Sequence, residues 1–477
     1  KLLWPGFKTL VVAQSVVNLL SLAVIYGILK EIKLEQHLRF LLVLIFYSTM
    51  IMPNYWPWYN FMAVFYQLVS IYFLFRLVFN DSDKKGWISV VFCAAFSGLS
   101  FFTKQDIGFF ATAINGMIIL IYAVYRHKWV SLIIFTLVVI AMAAINILPF
   151  VKYEFGYWFN YGQFPHHSRI TFKALIQEFV EQLHWIKFYL LVIFIVLVSK
   201  NFFKQSIKDN LENVLLAVFT IMLLGEASVI QYTSCNPPDG NIFFHVFALA
   251  FILKQVHLGL DLKKWSIFVP VVLLTIAWWS FNYWKYANKV LDKILPEQKK
   301  KSEYAITKYS WMVNTDSIKA LPYELHPSDI GVLKGITIPK ETNEGIHKIM
   351  DLEIVRKAGA KLKVLNMSEL TFLPYELGYP TIKGTNIPLW HHYSVSFFDR
   401  EIDLYSKQVE ALEFDLVIFQ DVNYSKNYFP SWVKECIEKN YIKRFTFRGP
   451  KGFSGEYVHI YTRPEPSTDS DLEILSN

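Results

Sequence analysis

Ten apolar stretches recur along the first 285 residues, at about 8–29, 38–53, 56–79, 87–103, 107–125, 129–150, 187–199, 211–231, 242–256 and 265–284. Several approach the roughly 20 residues that an α-helix needs to cross a hydrocarbon core of about 30 Å. The shorter ones require tilt or interfacial aromatics to compensate. The pattern predicts a polytopic α-helical membrane protein. Composition agrees: 54% of the 477 residues are hydrophobic, 17% are aromatic and only 18% are charged, with a mean hydropathy of +0.31. A typical soluble domain carries about 25% charged residues. In such a chain a net charge of +8 speaks of membrane orientation and anionic lipid, not of nucleic acid. Cys93, Cys235 and Cys436 form neither a disulfide framework nor a metal spacing.

Alternate connections differ sharply in charge. One set carries Lys30, Lys33 and Arg39; Arg76, Lys84 and Lys85; Arg126 and Lys128; Lys200, Lys204 and Lys208; Lys254, Lys263 and Lys264. The short connections of the other set carry only Lys104. The positive-inside rule makes the first set cytoplasmic. Ten crossings then put Lys1, the Lys104 turn, the 151–186 loop, the 232–241 loop and everything after about 285 on the outer face.

The Lys104 turn reads Gly98-Leu-Ser-Phe-Phe-Thr-Lys-Gln-Asp-Ile-Gly108. A cation, an amide and a carboxylate interrupt two apolar runs. Ionisable groups at such a place cost several kcal/mol unless partnered or hydrated, which marks a functional site. The alternative for Lys104 alone is a side chain snorkelling to the interface.

Other polar and aromatic features gather on the same expected face. Met52-Pro-Asn-Tyr-Trp-Pro-Trp-Tyr-Asn60 is an aromatic turn in which Pro53 and Pro57 discourage a continuous helix. Tyr55 and Trp56 serve either an interfacial belt or the lining of a sugar or lipid site. The loop 151–186 contains His166, His167 and Arg169, and then Phe172, Leu175, Ile176, Phe179, Val180, Leu183 and Ile186 at helical spacing. An amphipathic helix near 172–186, lying in the membrane plane, is predicted. Adjacent histidines lack the i, i+4 geometry of a helical metal site. Arg169 beside them suits a phosphate, or a solvated loop. In the turn 231–241, Asp239 falls in Pro-Pro-Asp-Gly turn chemistry, and His245 follows about one turn into a helix. That histidine reads equally as a phosphate donor or as a satisfied core residue.

Composition shifts after Trp284. The sequence predicts a multi-span domain over 1–290, an α/β domain over 300–463 and a loose tail over 464–477. Residues 361–367, 414–420 and 457–461 read as strands, Ser368 as a helix cap, and 431–439 as a helix. No Gly-rich dinucleotide or P-loop fingerprint is present.

This arrangement resembles the GT-C type membrane glycosyltransferases, in the polyprenyl-phosphate-sugar branch that includes protein O-mannosyltransferases and lipid A aminoarabinose transferases. The resemblance rests on Trp56-Pro-Trp-Tyr-Asn60, on the 98–108 turn, and on Pro238-Asp-Gly-Asn241 with His245. It implies a C-terminal extracytoplasmic α/β domain and a bacterial inner-membrane location. It also implies a catalytic Asp in the first outer loop, expected upstream of Lys1, so that Asp106 is only a fallback base.

The implied reaction transfers a sugar, with inversion, from a polyprenyl-phosphate donor to a hydroxyl of a glycan, lipid or protein acceptor. A carboxylate deprotonates the acceptor, and cations stabilise the departing phosphate. Lys104, Arg169 and His245 are the expected phosphate-binding residues. Gln105, Tyr55, Trp56, Asp239 and His166 are the expected sugar or cavity lining. No nucleotide cofactor is implied; a divalent cation is left open, with no ligand spacing to support it. The main alternative is a transporter or flippase of a lipid-linked sugar, which calls for polar residues deep in several helices and for broken helices. A polymerase or ligase of surface glycans and a non-catalytic scaffold are further alternatives.

Overall fold

The computed structural model describes residues 7–49, 59–80, 86–153, 172–200, 210–234, 244–256, 261–280, 323–334, 336–381, 399–422, 427–451 and 456–464, with isolated positions and pairs between them. The chain divides into two compact units, one holding Lys8–Val151 with Arg169–Gln298 and the other holding Lys299–Asn477.

All ten apolar stretches contain helices. They are α1 (Phe7–Glu31), α2 (Gln36–Thr49), α3 (Tyr59–Phe79), α4 (Gly86–Thr103), α5 (Gln105–Arg126), α6 (Trp129–Ile147), α8 (His184–Ser199), α9 (Leu211–Ser234), α10 (Phe244–Gln255) and α11 (Trp265–Trp278), with α7 (Phe172–Glu181) before α8. Among the described residues, six helices are long and apolar enough to cross a membrane. The bent pair of α7 and α8 counts as a seventh if it is one span. At 1.5 Å per residue, α11, with 14 residues between Lys264 and Trp279, falls short of a hydrocarbon core of about 30 Å.

The protein is membrane-embedded, and its surfaces show it. On α6, Val130, Ile133, Leu137 and Ile140 are all exposed, at positions that line one face of the helix. On α11, Val269, Leu273, Leu274 and Trp278 are exposed, and no residue of that helix is buried. Apolar faces of this kind are stable against lipid. Inside the bundle, Phe75, Phe219 and Phe247 pack edge to face from α3, α9 and α10.

The amphipathic helix is shorter than expected. It ends at Glu181, and α8 leaves at 82° after a break of two residues. Leu183 and Ile186, expected on its apolar face, are buried at the start of α8 instead.

The second unit is a layered α/β fold. A four-stranded sheet has the order β3 (Val364–Met367), β5 (Leu416–Gln420), β8 (Tyr457–Thr462), β7 (Ile442–Arg448). The first pair is parallel and the other two are antiparallel. Short pairs β1–β2 (Leu325–Pro327 with Thr337–Pro339) and β4–β6 (His391–His392 with Asn427–Tyr428) accompany it.

Alternation sorts the sheet's side chains onto two faces. Leu416, Ile418, Val458 and Ile460 pack with Ile346 and Ile349 of α12 (Lys340–Asp351). Val417, Phe419 and Tyr461 pack with Tyr405 and Val409 of α15 (Asp399–Glu410) and with Val433 and Ile437 of α16 (Ser431–Asn440). Between these lie α13 (Glu353–Ala358) and α14 (Leu373–Leu377). Ser368 closes a local turn by accepting the Leu370 N–H, and α14 starts only at Leu373, so the expected cap is a turn.

Candidate functional site in the helix bundle

Lys104 is the single residue between α4 and α5. Its backbone is extended (φ −152°, ψ 122°), which reverses the chain while hydrogen bonding continues on both sides. The Lys104 N–H donates to the Ser100 carbonyl at 2.8 Å, and the Gly108 N–H donates to the Lys104 carbonyl at 3.0 Å. The Lys104 Nζ lies 3.0 Å from Asp106 Oδ2, with both side chains mostly enclosed. Asp106 Oδ1 accepts the Ile107 N–H at 2.8 Å. A carboxylate in the first turn of α5 also complements the helix dipole. Gln105 is the first residue of α5 and is partly buried. The Ser100 hydroxyl donates to the Ala63 carbonyl at 2.9 Å and ties the turn to α3.

Beneath this pair the bundle holds a polar core. Gln67 Nε2 donates to both carboxylate oxygens of Glu226, at 2.8 and 2.7 Å. Asn115 Nδ2 donates to the Ser70 and Ser97 hydroxyls, each at 2.9 Å. Those hydroxyls donate in turn to the carbonyls of Gln67 and Cys93. All five side chains are buried. They sit six to eleven residues inside the helix ends at Tyr59, Thr103, Gln105 and Ser234, or roughly 9–17 Å along the axes.

Sequence reasoning passed over this core. The signal was present: Glu226 is the only charged residue between Asn213 and Ser234, and an ionisable residue inside a span is functional by default.

His245 has a different setting from the one its phosphate role requires. It is fully buried. Tyr189 Oη and His245 Nδ1 share a hydrogen bond of 3.0 Å. Phe244 stacks on the ring at 4.0 Å between centroids, and Trp185 and Trp279 meet it edge to face. Of the two readings the sequence offers for His245, the core residue is the one this enclosed setting matches. The expected site residues Tyr55, Trp56, His166, Arg169 and Asp239 lie outside the described residues. Among the described residues no group of three His, Cys, Asp or Glu side chains converges as a metal site.

The α/β unit carries two polar clusters at the end of its sheet where the parallel strands β3 and β5 finish. On one face, Lys451 Nζ lies 2.7 Å from Glu369 Oε1, and Gln420 Oε1 accepts the Glu369 N–H at 2.9 Å. Beside them Glu456 is fully buried, and neither of its carboxylate oxygens has a hydrogen-bond partner among the described residues. Burial first, and then the Glu369 charge, push its carboxyl up to about 7, against the pull of Lys451. On the other face, His459 Nε2 lies 2.7 Å from Asp421 Oδ2 and Lys434 Nζ lies 2.8 Å from Oδ1. Burial raises the Asp421 carboxyl, but hydrogen bonds from His459 and Lys434 outweigh it and hold the group below its usual range.

No family model matches the chain, and neither a curated protein nor a solved structure is similar to it.

Proposed function

We propose that the protein is an integral-membrane glycosyltransferase that moves a sugar from a polyprenyl-phosphate donor to an acceptor hydroxyl. The observation that carries this reading is the Lys104–Asp106 pair at the tip of the α4–α5 hairpin, 3.0 Å apart. A cation held at the end of a membrane hairpin stands where the phosphate of a bilayer-anchored donor would lie. In the reaction the acceptor hydroxyl attacks the anomeric carbon. The bond from that carbon to the phosphate oxygen breaks, a carboxylate takes the hydroxyl proton, and lipid phosphate leaves. Charge grows on the leaving phosphate, and Lys104 stabilises it there. Asp106 is a positioning residue that keeps the ammonium aimed. The same reading places the α/β unit outside the cytoplasm of a bacterial inner membrane, where it would select or cover the acceptor.

A second reading, a transporter or flippase of a lipid-linked sugar, gains from the polar core. Gln67, Ser70, Ser97, Asn115 and Glu226 place polar groups deep in four helices, which is the arrangement such a protein needs. One experiment separates the two. Membranes carrying the protein are given a panel of radiolabelled polyprenyl-phosphate sugars, beside a Lys104→Met variant. Sugar transfer with release of lipid phosphate, lost in the variant, supports the transferase. Labelled lipid changing leaflet without transfer supports the flippase.

A further inference from the structure

Helix α1 carries a continuous apolar stripe that ends in two cations. Val12, Val16, Leu19 and Ala23 are exposed, and Tyr26 and Lys30 continue the same line. At about 100° per residue these positions fall within an arc of roughly 80°. Ile25, Ile28, Leu29 and Ile32, on the opposite face, are buried. From Leu19 to Lys30 the stripe runs about 17 Å at 1.5 Å per residue, close to the roughly 15 Å of hydrocarbon in one leaflet.

Lys30 is exposed in the last turn of α1, one turn beyond Tyr26, so the two side chains start about 5–6 Å apart. Arg39, in the first turn of α2, holds its guanidinium over the Tyr26 ring at 4.9 Å from the centroid. Phe40, exposed, meets the same ring at 5.7 Å between centroids. Tyr26 therefore brings both cations to the end of the stripe. Nearby charges are already committed. Lys33 lies 3.5 Å from Glu212, His37 lies 2.7 Å from Glu35, and Lys254 donates to the Ile32 carbonyl at 3.1 Å. Neither Lys30 nor Arg39 has a carboxylate partner among the described residues. Arg39 Nε is enclosed and without a hydrogen-bond partner among them. The chain thus gives this guanidinium a ring but no anion.

A phosphodiester supplies what is missing. Arginine takes two phosphate oxygens side by side, and lysine adds a mobile point charge. A soluble phosphate would use the cations alone, whereas a phospholipid also covers the apolar stripe. We propose that Lys30, Arg39 and the Tyr26 ring between them hold the headgroup phosphate of one anionic phospholipid, whose acyl chains lie along Ala23, Leu19 and Val16. The positive-inside rule assigns this end to the cytoplasmic leaflet, opposite the Lys104 turn. The site does not depend on whether the protein transfers or transports a sugar.

The test uses the full chain in nanodiscs of phosphatidylcholine with increasing phosphatidylglycerol. Lipid retained by the chain is counted by native mass spectrometry, and unfolding is followed in parallel. The expected result is close to one retained phosphatidylglycerol per chain and a melting temperature that rises with its fraction and saturates, as binding to the folded state requires. Lys30→Gln combined with Arg39→Gln should weaken retention about thirtyfold, since each cation near an anionic surface contributes about fivefold. Arg126→Gln combined with Lys128→Gln removes the same charge from another connection of the same set and should leave retention unchanged. Three results overturn the proposal. The first is no retained phosphatidylglycerol on the wild-type chain, which needs no variant to fold. The second is equal loss in the two double variants, meaning that net charge alone gathers the lipid. The third is the same rise in melting temperature with soluble glycerol phosphate in pure phosphatidylcholine, meaning that the site takes a free phosphate.

Discussion

Gly108 of α5 lies against the backbone of Phe101 in α4: a Cβ placed on Gly108 would fall 2.0 Å from the Phe101 Cα and 2.0 Å from its nitrogen. Backbone cannot yield as a flexible side chain can. The α4–α5 hairpin therefore closes through one residue only because position 108 lacks a side chain. Gly108→Ala is expected to lose about 1–3 kcal/mol, in the range of an overpacked core, and to splay the two helices. Thermal unfolding in nanodiscs checks the loss. Amine-reactive labelling of Lys104, faster in the variant, checks the splaying.

The same hairpin aims the Lys104 ammonium. Lys104→Met removes the charge and keeps the stem, so the fold should persist while the chemical step slows by about 10²–10³, as when an electrostatic stabiliser of a transition state is removed. Lys104→Arg should recover part of the rate. Asp106→Asn leaves an acceptor for the ammonium but removes the negative charge, so a smaller loss, roughly tenfold, is expected. Steady-state kinetics with the active donor from the panel reads all three. A Lys104→Met protein as active as the wild type would remove Lys104 from the reaction.

Glu226 and Gln67 form a pair whose members need each other. Gln67→Leu alone leaves the Glu226 carboxyl group buried without its donor, and a buried polar group left unsatisfied costs about 1–3 kcal/mol. Gln67→Leu combined with Glu226→Leu leaves no uncompensated group and should restore most of the lost stability. A double-mutant cycle on melting temperatures measures the coupling. Additive effects would mean that the bond of 2.7–2.8 Å contributes nothing.

The membrane class, the hairpin turn and the main strands were legible because each depends on local pattern. Apolar length marks a span, Lys-Gln-Asp marks a turn, and a run such as Leu416–Gln420 marks a buried strand. The bend after Glu181 was not legible, since Leu183 and Ile186 keep the spacing of α7 across the break. Nor was β7, where exposed Lys443 and Arg444 hide an edge strand whose register slips between Lys443 and Phe445. The polar core was missed for another reason. Gln67, Asn115 and Glu226 come from three segments distant in sequence, and only tertiary packing brings them together. For His245 the sequence left two readings open, and burial favours the core one. Its place after a turn suggested access, but Trp185, Phe244 and Trp279 close over it.

Glu456 makes the α/β unit sensitive to pH in a direction opposite to ordinary acid denaturation. Its carboxyl is pushed up to about 7 in the folded chain by burial and by Glu369, whereas an unfolded glutamate titrates near an ordinary carboxylate value. The native state thus holds a proton that the unfolded state releases. Stability falls as pH rises from the unfolded value to about 7, and it levels off above that. The span corresponds to about 3 kcal/mol at most. Asp421 acts in the other sense: its depressed carboxyl adds stability above the unfolded value, which is lost as pH falls through the folded one. Glu456→Gln keeps the shape and removes the titration. It is expected to raise stability above pH 7, to change little at pH 5, and to flatten the slope between. Hydrogen exchange of the β7 and β8 amides in the full chain, corrected for intrinsic rates, reads the effect. If the variant and the wild type show the same slope, Glu456 is solvated in the folded chain and does not control the pH response.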